Sequence, residues 1–146
     1  MAEPQTVVLD TSVVLKWFLA DEQDRTPAIA LRDAITSGEV QPLVPSHLAL
    51  EVAAGLQAAV RRGRLDQNDV QAAIDAVTRF EIPALDVTSA LGRVAAIAAQ
   101  LGVSVYDAAF VATSEIVRAP LVTADEVLRQ RAAGAGRDAV SLSDWI

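Results

Sequence analysis

The sequence predicts one α/β domain with a mainly parallel central sheet flanked by helices on both faces. Short apolar runs of strand length alternate along the chain with longer stretches of helical period, the pattern that strand-helix-strand crossovers produce. The runs Val7 to Leu9 and Leu121 to Val122 are apolar at successive positions, as in strands buried on both faces. A length of 146 residues, 52% of them hydrophobic, suits one domain with a substantial core. We therefore expect a single domain over residues 1–146, with no linker and no internal repeat.

The elements follow in order. Thr6 to Asp10 is expected as a strand and Ser12 to Ala20 as a helix. Thr26 suits an N-cap with Pro27 at the first helical position, opening a helix that ends near Gly38. Pro42 to Pro45 is a short strand, and Ser46 caps a helix that runs to Arg62 and stops at Gly63. Asp66 caps a helix reaching Phe80, Ile82 to Val87 is extended, and Thr88 caps a helix ending at Gly102. Tyr106 to Arg118 is helical, Pro120 to Thr123 is a strand, Asp125 begins the last helix and Val140 to Leu142 forms an edge strand. Ala132 to Gly136 is expected as a flexible loop.

Composition removes several kinds of chemistry. Without cysteine there is no disulfide, thiolate nucleophile or cysteine-based zinc site. The single histidine, His47, supplies neither a histidine pair for metal-free RNA cleavage nor a histidine-rich metal site, so hydrolysis would rest on carboxylates. The N-terminal residues lack a basic region followed by an apolar stretch, and no run approaches the roughly 20 apolar residues of a membrane span. A cytoplasmic protein with no membrane partner is the expectation. A net charge of −7 disfavours a broad nucleic-acid-coating surface yet leaves a nucleic-acid substrate open.

Four acids stand in comparable settings: Asp10 after a strand, Glu51 inside a helical stretch, Asp107 opening another, and Asp125 after a second strand. Each also has an ordinary structural reading. Asp10 and Asp125 suit helix caps, Asp107 suits the positive end of a helix dipole, and Glu51 suits a solvent-facing helix surface. Helical spacing weakens the last two, because Asp107 shares a stripe with Phe110, Val111 and Ser114, while Glu51 borders Leu48, Val52, Gly55 and Leu56. A carboxylate aimed at a core needs a partner or a cation. Such crowded carboxylates, when metal-free, are expected to hold their protons to higher pH through mutual repulsion.

The motifs VVLDTSVVLKW, LALEVAAGL, VYDAAFVATSE and LVTADEVL, in that order, resemble those of PIN-domain ribonucleases, and more narrowly the VapC-type toxins of bacterial toxin-antitoxin modules. The resemblance spans Val7 to about Ile146. It implies a PIN-like domain in which Asp10, Glu51, Asp107 and Asp125 form a catalytic acidic cluster binding Mg²⁺ or Mn²⁺, with Asp10 and Asp107 as direct ligands. Ser12 and Thr123, or alternatively Thr11, would orient carboxylates, water or phosphate from behind. One or two ions so held would polarise a phosphodiester and lower the pKa of an attacking water. Many relatives carry Asn three residues after the helical Glu, where this chain has Ala54. The implied partners are RNA, a small antitoxin protein and a second copy of the chain.

Arg61, Arg62 and Arg64, at a helix end, and Lys16, after Asp10, are the candidate phosphate contacts, although cations also suit a helix C-terminus. Sequence-specific readers favour unpaired RNA, which makes a structured loop a reasonable substrate. His47 is expected to be structural and Tyr106 a packing residue. Val13, Val14, Leu15, Trp17, Phe18 and Leu19 coat nearly every side of the first helix, so part of it is expected at a protein interface, the other reading being burial within the fold. Two further functions compete. A receiver-type signalling domain would pair acids before its first helix and place a lysine near its last strands, whereas the only lysine here is Lys16. A non-enzymatic regulatory subunit would have no need of all four acids.

Overall fold

In the computed structural model, which describes residues 2–145, five parallel strands form one sheet. They are β1 (Gln5–Leu9), β2 (Val40–Pro45), β3 (Ala84–Leu85), β4 (Leu121–Thr123) and β5 (Ala139–Ser141), in the order β3-β2-β1-β4-β5. Neighbouring residues of a strand point to opposite faces, and Val7, Val8 and Leu9 are all fully buried, so both faces of β1 are covered. The edge strands β3 and β5 have only two and three residues, which leaves little unpaired backbone for another chain to extend.

The helices are α1 (Thr11–Leu15), α2 (Arg25–Thr36), α3 (Leu48–Arg61), α4 (Gln67–Arg79), α5 (Leu91–Leu101), α6 (Val105–Val117) and α7 (Glu126–Gly134). Residues 108–114 of α6 are buried without interruption, so this helix is enclosed on all sides, packing on β1, β2, β4 and α5. Its alanines and serine allow that close approach. Among the described residues no single helix is long and apolar enough to cross a membrane; the apolar pair formed by α5 and α6 is bent by 112°.

Several local expectations need correction. The first helix ends at Leu15, not Ala20, because Arg25 donates from Nε to the Lys16 carbonyl and from Nη2 to the Trp17 carbonyl, taking acceptors that a longer helix would use. Its apolar coat is internal: Val13, Val14, Trp17 and Leu19 are buried, the Trp17 indole donates to the Ala28 carbonyl at 2.9 Å, and Leu15 and Phe18 pack against the core. The interface expected there is therefore occupied by the fold itself. Helix α2 starts at Arg25, which puts Pro27 at its third position, still within the turn where no amide donor is needed. Ser46 continues the ladder by donating its amide to the Leu85 carbonyl, and α3 begins two residues later. Ser104, not Tyr106, marks the start of α6. Helix α7 runs through Gly134 with Ala132 fully buried, where a flexible loop was expected.

Candidate functional site

The chain leaves β1 to build β2 and β3 on one side, then crosses back to add β4 and β5 on the other. At such a reversal the connections beyond the carboxyl ends of adjacent strands diverge and leave a crevice. Asp10 immediately follows β1, and Asp125 stands two positions beyond β4. Helices α3 and α6 each bring a carboxylate in the first turn, Glu51 and Asp107. The result is one open cleft of about 300 Å³ lined by Asp10, Thr11, Ser12, Leu15, Glu51, Ala54, Asp107 and Asp125. A larger depression of about 500 Å³ elsewhere carries Arg79 as its one titratable side chain, so size does not mark the chemistry here.

The four acids are held in different ways. Asp10 precedes α1 but makes no capping bond; its Oδ2 instead accepts from Ser12 Oγ at 2.6 Å and Thr123 Oγ1 at 2.9 Å. Those hydroxyls also accept from the amides of Ala124 and Asp125, both at 3.0 Å, bracing the end of β1 against the end of β4. Glu51 accepts from Thr11 Oγ1 at 2.7 Å, and His47 Nε2 lies 3.7 Å from the same oxygen, beyond hydrogen-bond distance. Asp107 sits in the first turn of α6, where its amide donates to Ser104 Oγ at 3.0 Å. Asp125 caps α7, with Oδ1 accepting from the Leu128 amide at 3.1 Å, while it also lines the cleft. For Asp125, the capping and cleft readings therefore hold together.

Burial pushes the Asp10 carboxyl up to about 6, against the pull of the Ser12 and Thr123 hydroxyls and with smaller additions from the charges of Asp107 and Glu51. Asp107 is also held above the usual carboxylate range, first by partial burial and then by Asp125 and Glu51, with Ser104 and His47 offsetting part of the rise. For Asp10 and Asp107 this is the expected direction, with desolvation the leading cause and like-charge repulsion secondary.

The cations expected near phosphate are not brought to this cleft. Lys16 is buried and paired with Glu22 at 3.6 Å, since the chain reverses after α1 and folds over it. Arg64 is bidentate on Asp21 at 2.8 and 2.9 Å and also reaches Glu22. Arg61 and Arg62 are exposed at the far end of α3, ten or more residues from Glu51 and so roughly 15 Å along the helix. Ala54 does line the cleft, so a methyl group stands where the resemblance implies an amide. Sequence reasoning missed Ser104, although the spacing Ser104-x-x-Asp107 is itself a helix-start signature. Tyr106, expected to pack, is 62% exposed.

Comparison with known proteins agrees with this architecture. The PIN domain family model matches residues 7–134. The chain is 33% identical over 119 residues to VapC ribonuclease Mb0985 of Mycobacterium bovis and, equally, to ribonuclease VapC9 of Mycobacterium tuberculosis; each alignment covers 82% of this chain and 85% of the relative. The crystal structure of PAE2754 from Pyrobaculum aerophilum superposes with a TM-score of 0.70 at 19% identity, covering 95% of this chain and 90% of that one, a likeness of fold. The chain belongs to the PIN-domain family, in its VapC-type branch.

Proposed function

We propose that this chain is a Mg²⁺- or Mn²⁺-dependent ribonuclease that hydrolyses RNA phosphodiester bonds as the toxin of a toxin-antitoxin pair, and that a small antitoxin protein inhibits it. The observation carrying this reading is the convergence of Asp10, Glu51, Asp107 and Asp125, from four separate segments, on one cleft at the reversal of the sheet. The named relatives are ribonucleases, which supports the same chemistry. We further propose a single domain that pairs with a second copy of itself.

The donor set suits a hard divalent ion, being all oxygen with no cysteine available. Among the described residues no three carboxylate or imidazole groups already converge closely enough to cage an ion. A Mg²⁺ ion can be bound through one or two carboxylates while keeping several waters. Asp10 and Asp107 are the proposed direct ligands, with Glu51 and Asp125 completing the acidic set. A bound ion would polarise the scissile phosphate and lower the pKa of the attacking water. Ser12 and Thr123 fix the Asp10 carboxylate, and Thr11 fixes Glu51.

The receiver-type alternative loses support, because the only lysine is buried against Glu22 and does not line the cleft. Purified protein incubated with labelled RNA should cleave it with Mg²⁺ or Mn²⁺ and not with EDTA. Asp10→Asn and Asp107→Asn should be inactive with an unchanged circular-dichroism spectrum. Cleavage in EDTA, or full activity in both variants, would overturn the assignment.

A further inference from the structure

Beside the acids, three aromatic rings form a short ladder from the core to solvent. Phe110 is fully buried, the His47 ring meets it edge-on with centroids 5.1 Å apart, and Tyr106 lies 5.9 Å beyond His47 at a tilt of 53°. Tyr106 and Phe110 are four residues apart on α6 and share a side of the helix, so His47, entering from the start of α3, backs the exposed ring. The ladder flanks the cleft without lining it, and two of its members neighbour cleft acids. Tyr106 immediately precedes Asp107, and His47 Nε2 lies 3.7 Å from Glu51 Oε2. Tyr106 is 62% exposed, and among the described residues its hydroxyl makes no hydrogen bond.

Charge bears independently on what occupies this ring. The protein carries a net charge of −7, and Lys16, Arg64, Arg93, Arg129 and Arg137 are each engaged with a carboxylate. The cleft is lined by four carboxylates and by no lysine or arginine, so a strand brought to the acids gains from a hold that is not electrostatic. Stacking of a base on an aromatic face supplies one, and an unpaired base is free to use it.

We propose that Tyr106, backed by His47, is a stacking platform for one unpaired nucleobase adjacent to the phosphate that is cut. This rests on the ribonuclease reading and adds to it a residue that grips the substrate through a base. Tyr106 is a binding residue and His47 positions it.

The test compares wild type with Tyr106→Ala and Tyr106→Phe on a short end-labelled single-stranded oligoribonucleotide of mixed sequence. A second oligonucleotide carries an abasic residue beside the mapped cut. With Mn²⁺, Tyr106→Ala should raise KM roughly tenfold, the scale of one base stacked on one ring, while kcat stays close to wild type. Tyr106→Phe should keep the wild-type KM, and the abasic substrate should weaken wild type but not weaken Tyr106→Ala further. His47→Ala should reproduce part of the rise in KM. Affinity measured by anisotropy in EDTA and in an Asp10→Asn background with Mg²⁺ supplies a readout independent of cutting. Loss of that affinity in Tyr106→Ala, with no cleavage by wild type under any metal, would keep the platform and remove the ribonuclease reading. An unchanged KM and affinity in Tyr106→Ala would overturn the platform, as would equal losses in Tyr106→Phe, which would assign the effect to the hydroxyl. Wild-type protein that binds no oligonucleotide overturns it too. Intact RNA binding with weakened self-association in Tyr106→Ala would assign the ring to protein contacts instead.

Discussion

On the strand side of the cleft, Asp10 is almost completely buried and its Oδ2 receives two hydroxyls that are themselves tied to the backbone after β4. On the helix side, Glu51 and Asp107 are partly exposed, Glu51 receives one hydroxyl from Thr11, and Tyr106, the residue before Asp107, is exposed. The two halves have the same chemistry at their tips and opposite degrees of restraint. On the proposed reading, a rigid, desolvated carboxylate would keep an ion in one place, and an open half would admit a substrate. Preorganisation on one side and access on the other are both required of a hydrolytic site.

The largest expected effect breaks the strand side. Asp10→Asn should lower metal-dependent cleavage by roughly a thousandfold, because several kcal/mol of charge stabilisation depend on a correctly held ion. A decrease under tenfold in single-turnover cleavage would move the principal ligand elsewhere.

The next effect is read in stability. Asp10 goes from a usual 3.8 to about 6 on folding, so in metal-free protein its neutral form favours the folded state. That contribution is complete below pH 3.8 and is lost as pH rises through about 6, amounting to about 3 kcal/mol. In EDTA, wild type should therefore lose roughly 10 °C of Tm relative to Asp10→Asn between pH 4 and pH 7. A hundredfold excess of Mn²⁺ over Kd should return about 2.7 kcal/mol to wild type and much less to the variant. Parallel melting curves for the two proteins across that range would show that Asp10 is not desolvated.

A third experiment sharpens the comparison of the halves. Thr123→Val keeps the shape of a fully buried residue but leaves the Asp125 amide without its acceptor and Asp10 with one donor, at about 1–3 kcal/mol. Thr11→Val, acting on the open side, should cost under about 1 kcal/mol. Equal losses in urea titrations would mean that the halves do not differ in rigidity. The smallest effect is that of Asp125→Asn, since Asn caps a helix about as well as Asp and stability should hold within roughly 0.5 kcal/mol, while Asp125→Ala should cost about 1 kcal/mol. Its activity should fall less than that of Asp10→Asn in the same cleavage assay.

Much of the frame was legible from local chemistry. Apolar runs marked the strands, Asp66 and Asp125 marked helix starts through their own side-chain caps, and the alternation implied a parallel sheet. These features depend on residues within a few positions of each other. The first helix was misjudged because a periodic pattern shows which residues are apolar, not what covers them; Arg25 and the Ala28 carbonyl, several residues further along the chain, stop the helix and anchor Trp17. The ion pairs of Lys16 and Arg64 were illegible for the same reason, their partners Asp21 and Glu22 being supplied by the turn between α1 and α2.

The sequence by itself determined the kind of chemistry open to this protein, because the absence of cysteine and the single histidine leave carboxylate oxygens as the donors for a hydrolytic site. It also determined two of the helix starts, where Asp66 and Asp125 cap the chain with their own side chains. Only the tertiary structure decided that the strand order reverses beside β1, which brings Asp10 within reach of Thr123, 113 residues away. It alone decided that Asp10 is desolvated while Tyr106 is exposed, because burial depends on what the rest of the chain places over a residue.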